Sequence, residues 1–231
     1  MSAAQPLVLL PGLAGDAGLW EHQIRDLAEV ARVMVGDTLS DDSLPGVARR
    51  VLAAAPERFA LAGLSMGGYL AFEILRQAPE RVTRLALLDT SARPDTPEQT
   101  EAREAAIAAS ERYDFAALAR AGLASLVASD ASDEARAAVV AMSVRVGAET
   151  YRRQQRAIIA RPDSRPLLLQ IAVPTLVLVG AHDQLTPPAL AEEMQAGIAG
   201  SQLHVIPGAG HLSALETPGP VNERLRAWLS D

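Results

Sequence analysis

An α/β fold is what this sequence predicts: a mostly parallel sheet of about six strands, helices on both faces, and one all-helical insertion. Three observations carry that expectation. Short apolar runs bounded by Gly, Pro or Asp recur six times, helical stretches lie between most of them, and the alternation breaks once, in alanine-rich text without a strand pattern. Strands separated by helices pair in parallel, because each crossover brings the chain back in the same direction.

The apolar runs are PLVLLPG (6–12), ARVMVGD (31–37), RFALAG (58–63), VTRLALLD (82–89), PTLVLVG (174–180) and QLHVIPG (202–208). Their continuity, without polar alternation, is the pattern of strands buried on both faces. Between and after them, LWEHQIRDLAEV, LPGVARRVLAAA, MGGYLAFEILRQAP, ALAEEMQAGIA and VNERLRAWL carry helical periodicity. From Asp95 to Pro166 the text reads as about four helices, TPEQTEAREAAIAASERY, DFAALARAGLASLVAS, SDEARAAVVAMSVRV and GAETYRRQQRAII. The first opens on a Thr, Pro, Glu start signal, and the prolines of ARPDSRPLLLQ mark the return to the sheet. Residues 1–94 and 166–231 therefore form the core and 95–165 a helical insertion, too short to be an independent domain.

Composition narrows the chemistry. A chain of 231 residues with 49% hydrophobic content can bury one substantial core. The net charge of -7 disfavours nucleic acid or an anionic membrane as partner, leaving a small molecule or a protein. All 21 basic residues are arginine, so arginine richness is discounted as a signal. The lack of lysine removes Schiff-base catalysis, and the lack of cysteine removes thiol nucleophiles and disulfides. His22, His182, His204 and His211 show no metal-ligand spacing, so no metal and no cofactor are expected. The N-terminal MSAAQPLVLLPG lacks a basic start and its apolar run is short for a signal peptide, and no stretch approaches a membrane span, so a cytoplasmic location is expected.

One serine stands out. GLSMG places Ser65 between the apolar run ending at Gly63 and an apolar helix, with glycines two residues away on either side. The GxSxG pattern turns a strand into a helix so tightly that one side chain projects at the apex. It also sets the N–H of Met66 at a helix N-terminus, where developing negative charge is stabilised. A serine hydroxyl is a weak nucleophile at neutral pH and needs a base oriented by an acid. Asp183, in the loop after PTLVLVG, and His211, after the glycine-rich turn in PGAGHL, supply both in the order Ser, Asp, His. Asp89, at the end of LALLD, is the alternative acid.

Through LVLLPG, GLSMGG, VPTLVLVGAHD and GAGHL, in that order, the chain resembles the α/β-hydrolase superfamily, and in particular its small, cap-bearing serine esterases. The resemblance covers nearly the whole chain. It implies that Leu13 supplies a second oxyanion-hole N–H opposite Met66, and that the insertion is a cap. Two departures stand beside it. Many members begin with two further strands, whereas this chain starts almost directly at LVLLPG, which implies a trimmed sheet edge. The usual His-Gly pair after that strand is Pro11-Gly12 here.

The expected activity is hydrolysis of a carboxylic ester of a small or medium acyl group through an acyl-enzyme, with a small-molecule ester as substrate. A lyase or cofactor-free synthase using the same triad as a base, and a thioesterase or lactonase, stand as alternatives. Trp20, beyond the cap-like Asp16, is a candidate for the acyl pocket. Phe115, Leu118, Leu123, Leu126, Val139, Met142 and Val146 give the insertion more apolar surface than it can bury against itself, so Phe115 and Met142 are expected in the pocket's roof. Arg152, Arg153, Arg156, Arg161 and Arg165 read as a solvated helical face, with an anion site for a carboxylate-bearing or carrier-linked substrate as the alternative. Oligomeric state is not legible.

Overall fold

The computed structural model describes residues 4–230. Residues 1–3, which open the N-terminal segment and the first core segment read above, lie outside the described residues, as does 231. All six apolar runs form strands: β1 (Gln5–Leu10), β2 (Ala31–Val35), β3 (Phe59–Leu64), β4 (Val82–Leu88), β5 (Thr175–Gly180) and β6 (Gln202–Ile206). They make one sheet in the order β2-β1-β3-β4-β5-β6, with every pairing parallel.

Alternation along each strand separates two cores. Val8 and Leu10 of β1, Leu61 of β3, Leu87 of β4 and Val179 of β5 face one side. There they meet α2 (Leu44–Ala54), α3 (Met66–Gln77) and α8 (Pro188–Gly197). Leu7, Leu9, Ala62, Leu88 and Leu178 point the other way. They pack on the 3-10 turn Ala17–Trp20, the residues after α1 (Glu21–Asp26), and α9 (Ser213–Glu216) with α10 (Pro218–Ser230). Strands β3 and β5 are buried along their whole length, which is why they read as unbroken apolar runs.

Local chemistry sets the boundaries. Ser43 caps α2 by accepting from the Gly46 N–H at 3.2 Å. The helix expected over LWEHQIRDLAEV is shorter than its pattern: α1 ends at Asp26, and Leu27 turns the chain through N–H bonds from Val30 and Ala31 to its carbonyl. Between β4 and β5 lie α4 (Pro97–Arg112), α5 (Phe115–Leu126) and α6 (Asp133–Ile159), followed by the short α7 (Arg165–Leu168). A reciprocal capping box starts α4: the Gln99 N–H donates to Thr96 Oγ1 at 3.3 Å, and the Thr96 N–H to Gln99 Oε1 at 3.0 Å. The last two helical stretches of the insertion join into α6, which breaks at Gly147 (φ 80°, ψ 158°) into arms 133–146 and 148–159.

That break lets α6 straddle the sheet. Val139 and Met142 of its first arm join the core of β1 Leu7 and Leu9, whereas Ala157 and Ile158 of its second join the opposite core. The chain leaves β1 toward β2 on one side and returns to β3 on the other, so a crevice opens outside the carboxyl ends of β1 and β3.

Candidate active site

Ser65 stands at that crevice. It links β3 to α3 with φ 55° and ψ -116°, a conformation that costs a non-glycine residue about 1–3 kcal/mol. Its surroundings hold it there. The Ser65 N–H donates to the Leu88 carbonyl at 3.0 Å, and its carbonyl accepts from Thr90 Oγ1 at 2.8 Å and the Gly68 N–H at 2.8 Å. The flanking glycines are needed for close approach: a Cβ on Gly63 would overlap the Gly67 carbonyl, and one on Gly67 would overlap the Leu10 carbonyl.

His211 comes from the loop between β6 and α9. Its Nε2 lies 2.8 Å from Ser65 Oγ, and its Nδ1 lies 2.9 Å from Asp183 Oδ2. The Glu216 carboxylate shapes the loop by accepting the N–H groups of Gly210 and Leu212, on either side of the histidine, and that of Ala128. Asp183, after β5, is saturated: Oδ1 accepts the N–H groups of Leu185 and Thr186 at 2.9 Å each, and Oδ2 also accepts from Thr186 Oγ1 at 2.7 Å. With Asp183 accepting at every contact, His211 carries its proton on Nδ1 and leaves Nε2 to receive the Ser65 hydroxyl.

The electrostatics agree with this geometry. Burial opposes charge on His211, but the hydrogen bond and charge of Asp183, with Asp89 and Glu216 beyond, hold its pKa above the ordinary 6.5. Burial likewise works against the Asp183 carboxylate, and the bonds from His211 and Thr186 still bring it below the ordinary 3.8.

Asp89, the alternative acid, does not touch the histidine. It is fully buried at the end of β4, where Oδ1 accepts the Gly180 N–H at 2.8 Å and Oδ2 accepts from the Ser213 N–H and hydroxyl at 3.1 and 2.6 Å. Asp89 thus ties the end of β5 to the loop that carries His211. Burial pushes its pKa up to about 7, against the pull of His211.

Leu13 and Met66 present backbone N–H groups with no acceptor among the described residues. The Leu13 loop bends through Ala14 (φ 55°), whose N–H donates to Gln154 Oε1 at 2.9 Å. Gln154, buried on α6, donates in turn to the Thr38 carbonyl at 3.0 Å. Nothing in the sequence points to this residue, because its partner is 140 positions away.

A cavity of about 590 Å³ opens over Ser65 and His211. Phe115, Leu118 and Leu126 of α5 and Val139 and Met142 of α6 line it, and the rings of Phe115 and Tyr151 pack at 5.1 Å. Trp20 corrects the sequence reading. It is fully buried in the core beneath the cavity, where Leu19 takes the lining position expected of it. The physical reason is the 3-10 turn: Asp16 accepts the Gly18 N–H at 2.8 Å, and the tight turn that follows drives both Leu19 and Trp20 inward.

The arginines of the insertion separate. Arg156 is exposed, Arg153 pairs with Glu149 at 2.9 Å, Arg165 pairs with Asp163, and Arg152 donates to the Ser110 carbonyl. Arg161 alone of the five is buried and lines the cavity. Among the described residues no cluster of three His, Cys, Asp or Glu side chains could hold a metal ion, and no helix is long and apolar enough to cross a membrane.

Comparison with known proteins places this architecture. The model of the family described as alpha/beta hydrolase fold matches residues 49–218. The chain is 31% identical over 245 residues to the pimeloyl-[acyl-carrier protein] methyl ester esterase of Pectobacterium carotovorum subsp. carotovorum, covering 96% of this chain and 93% of that protein. It is 28% identical to the biotin biosynthesis bifunctional protein BioHC of Cellvibrio japonicus over 89% of this chain, and spans only 43% of that longer protein. Among solved structures, a thermophilic esterase from Thermogutta terrifontis superposes with a TM-score of 0.89 at 31% identity, over 98% of this chain and 89% of that one.

Proposed function

Because the chain belongs to the alpha/beta hydrolase fold family, we propose that it is a serine hydrolase that cleaves carboxylic esters of small or medium acyl groups, with residues 95–165 as its cap. The observation that carries this reading is the unbroken hydrogen-bonded relay from Asp183 through His211 to Ser65, opening on the cavity beside two N–H groups without acceptors.

Ser65 Oγ attacks the ester carbonyl as its proton passes to His211 Nε2. The carbonyl oxygen, now an alkoxide, is held by the N–H groups of Leu13 and Met66. Asp183 keeps the Nδ1–H tautomer and stabilises the imidazolium. As the tetrahedral species collapses, the C–O bond to the alcohol breaks and His211 returns the proton to the departing oxygen. Water then repeats the sequence on the acyl-enzyme, releasing the acid and restoring the Ser65 hydroxyl. Backbone donors fixed by β1 and α3 need no reorganisation as the charge forms.

The test is labelling with a fluorophosphonate together with p-nitrophenyl butyrate turnover. Both should be present in the wild type and absent in Ser65→Ala, with kcat lower by about a million-fold. Labelling at another residue, or hydrolysis that survives the substitution, would falsify the assignment. A lyase or synthase using the same relay as a base would label at Ser65 but give no burst of p-nitrophenol.

A further inference from the structure

The cavity wall is charged in a way that ester hydrolysis alone does not require. Among the described residues no acidic side chain lines the cavity, although the chain has 28 of them, yet Arg93, Arg103 and Arg161 do. Arg93 is neutralised in a bidentate pair with Glu193, half in solvent. Arg103 and Arg161 are not: they share a single carboxylate, Asp95, at 2.8 and 2.6 Å. The Asp95 side chain is 2% exposed and does not line the cavity, so the two guanidiniums face the cavity with one positive charge uncompensated.

A purely structural role explains half of this cluster. Asp95 and Arg161 stand at the two ends of the helical insertion, and their ion pair closes its neck. One arginine suffices for that; Arg103, reaching in from α4, adds the surplus charge. Its Nε donates to Asp95 and its Nη1 to Gln155 Oε1, whose amide is fixed by the Tyr151 hydroxyl at 2.8 Å. Arg161 gives Nε to the Arg93 carbonyl and Nη1 to Asp95 and the Ile158 carbonyl, although its side chain is only 6% exposed. Among the described residues the Nη2 groups of both arginines have no acceptor. Neither Nη2 group is among the fully buried unpartnered atoms, so both stay open to a partner entering the cavity.

A third donor joins them. The Arg161 guanidinium lies over the Tyr69 ring at 4.3 Å, and the Tyr69 hydroxyl, on a side chain buried against the cavity, makes no hydrogen bond among the described residues. Burial holds that phenol above its usual range, so it stays a neutral donor. Tyr69 belongs to the first turn of α3 and its N–H reaches the Ser65 carbonyl at 3.4 Å, so the donors stand in the chamber that holds the nucleophile.

We infer that Arg103, Arg161 and Tyr69 receive a carboxylate, so that the substrate is the mono-ester of a dicarboxylic acid, its free end bound here while its ester carbonyl meets Ser65. A single carboxylate matches the one surplus charge, and its two oxygens suit planar guanidinium donors. This rests on the ester-hydrolase reading above and adds the class of acid.

The experiment measures kcat/KM for mono-p-nitrophenyl esters of the succinic to suberic series against the neutral p-nitrophenyl esters of matching chain length. At the best length the anionic ester should lead by about ten- to a hundredfold, the scale of a charge-assisted contact. Arg103→Gln and Arg161→Gln should cut that ratio by a similar factor, and Tyr69→Phe by less. Arg165→Gln, exposed and paired with Asp163, should leave it unchanged. Preference for the neutral ester at every length overturns the inference, as does a parallel loss on both esters in the arginine variants, which is the signature of a neck clamp alone. Binding of monomethyl and dimethyl adipate to Ser65→Ala by calorimetry separates the two readings. If no ester is hydrolysed, the hydrolase reading fails, and tighter binding of the monomethyl ester, lost in Ser65→Ala/Arg103→Gln, still decides the anion site.

Discussion

Asp183→Asn is the substitution whose consequence can be followed atom by atom. Oδ1 of Asp183 accepts two backbone N–H groups, from Leu185 and Thr186. The asparagine oxygen must stay there, because turning the amide over would set its NH2 against two donors. The NH2 therefore replaces Oδ2 and points at His211 Nδ1, 2.9 Å away, while the Thr186 hydroxyl rotates to accept from it. Nδ1 then receives a hydrogen bond and cannot carry the proton, so the imidazole proton moves to Nε2. The atom that should take the Ser65 proton becomes a donor. Loss of the base in this manner costs on the order of ten-thousand-fold in kcat with the fold intact. The paired control is Asp89→Asn. There the amide sets one donor against the Ser213 N–H, a destabilisation of about 1–3 kcal/mol that leaves the His211 tautomer alone. Steady-state kcat for p-nitrophenyl butyrate and thermal unfolding of both variants would decide. Activity within tenfold of wild type in Asp183→Asn, or a deeper loss in Asp89→Asn, would refute the tautomer reasoning.

Further expectations concern the base, the oxyanion loop and the roof. His211 must be neutral to accept a proton, and its pKa is raised, so kcat/KM should climb with pH through a value above 6.5 and collapse below it; a flat profile from pH 5 to 8 would contradict the assignment. The same shift favours protonated His211 in the folded state, so its share of stability is present below pH 6.5 and fades as pH rises through the folded pKa. Asp89, pushed up to about 7, acts in the same direction, and Asp89→Asn should flatten the loss of stability between about pH 4 and 7 in denaturant titrations. Gln154→Leu removes the acceptor of the Ala14 N–H and the donor to Thr38, so kcat should fall by up to about a hundredfold as Leu13 loses its position, with KM little changed. Phe115→Ala and Met142→Ala should shift preference among acetyl to octanoyl esters, with acetate turnover least affected, and Met142→Ala should also cost about 2–5 kcal/mol of stability; parallel losses across the series would make these residues purely structural.

The central strands were legible because a parallel strand covered on both faces leaves little that is polar in its run. FALAGL of β3 is buried at all six positions, and the apolar text registers that directly. The candidates Ser65 and His211 stood out for a different reason: Gly63 and Gly67 bracket Ser65 and Gly210 precedes His211, each at a close backbone approach that leaves a mark in sequence. The carboxylate beside the histidine was legible only as a preference for Asp183 over Asp89, since both follow strands and the loop geometry is what aims Asp183 at Nδ1. Trp20 was misplaced because an apolar residue after a turn carries no sign of which way it faces. Gln154, Arg103 and Tyr69 left no signal at all. Their roles arise from partners far along the chain, such as Gln155 for Arg103 and Ala14 for Gln154, and no local periodicity encodes a contact of that kind.

Among the described residues the three non-glycine residues with positive φ are Ala14, Ser65 and Asp89, and they follow β1, β3 and β4, adjacent strands of the sheet. Each is strained by about 1–3 kcal/mol, and a strained residue persists only where its neighbours over-determine it. Here the support passes sideways across the sheet. The Ser65 N–H bonds to Leu88 of the next strand, the Asp89 N–H bonds to Leu178 of the strand beyond, and the Asp89 side chain goes on to Gly180 and the Ser213 loop that follows His211. Ala14, on the other flank, is held from above by Gln154 of α6. The candidate nucleophile and base are therefore tied by one lateral network across β3, β4 and β5, while the Leu13 loop is held separately by Gln154. Softening the network at Asp89 should disturb Ser65 and His211 together, a loss of kcat far smaller than that of Asp183→Asn, whereas loss of Gln154 should displace the Leu13 loop alone.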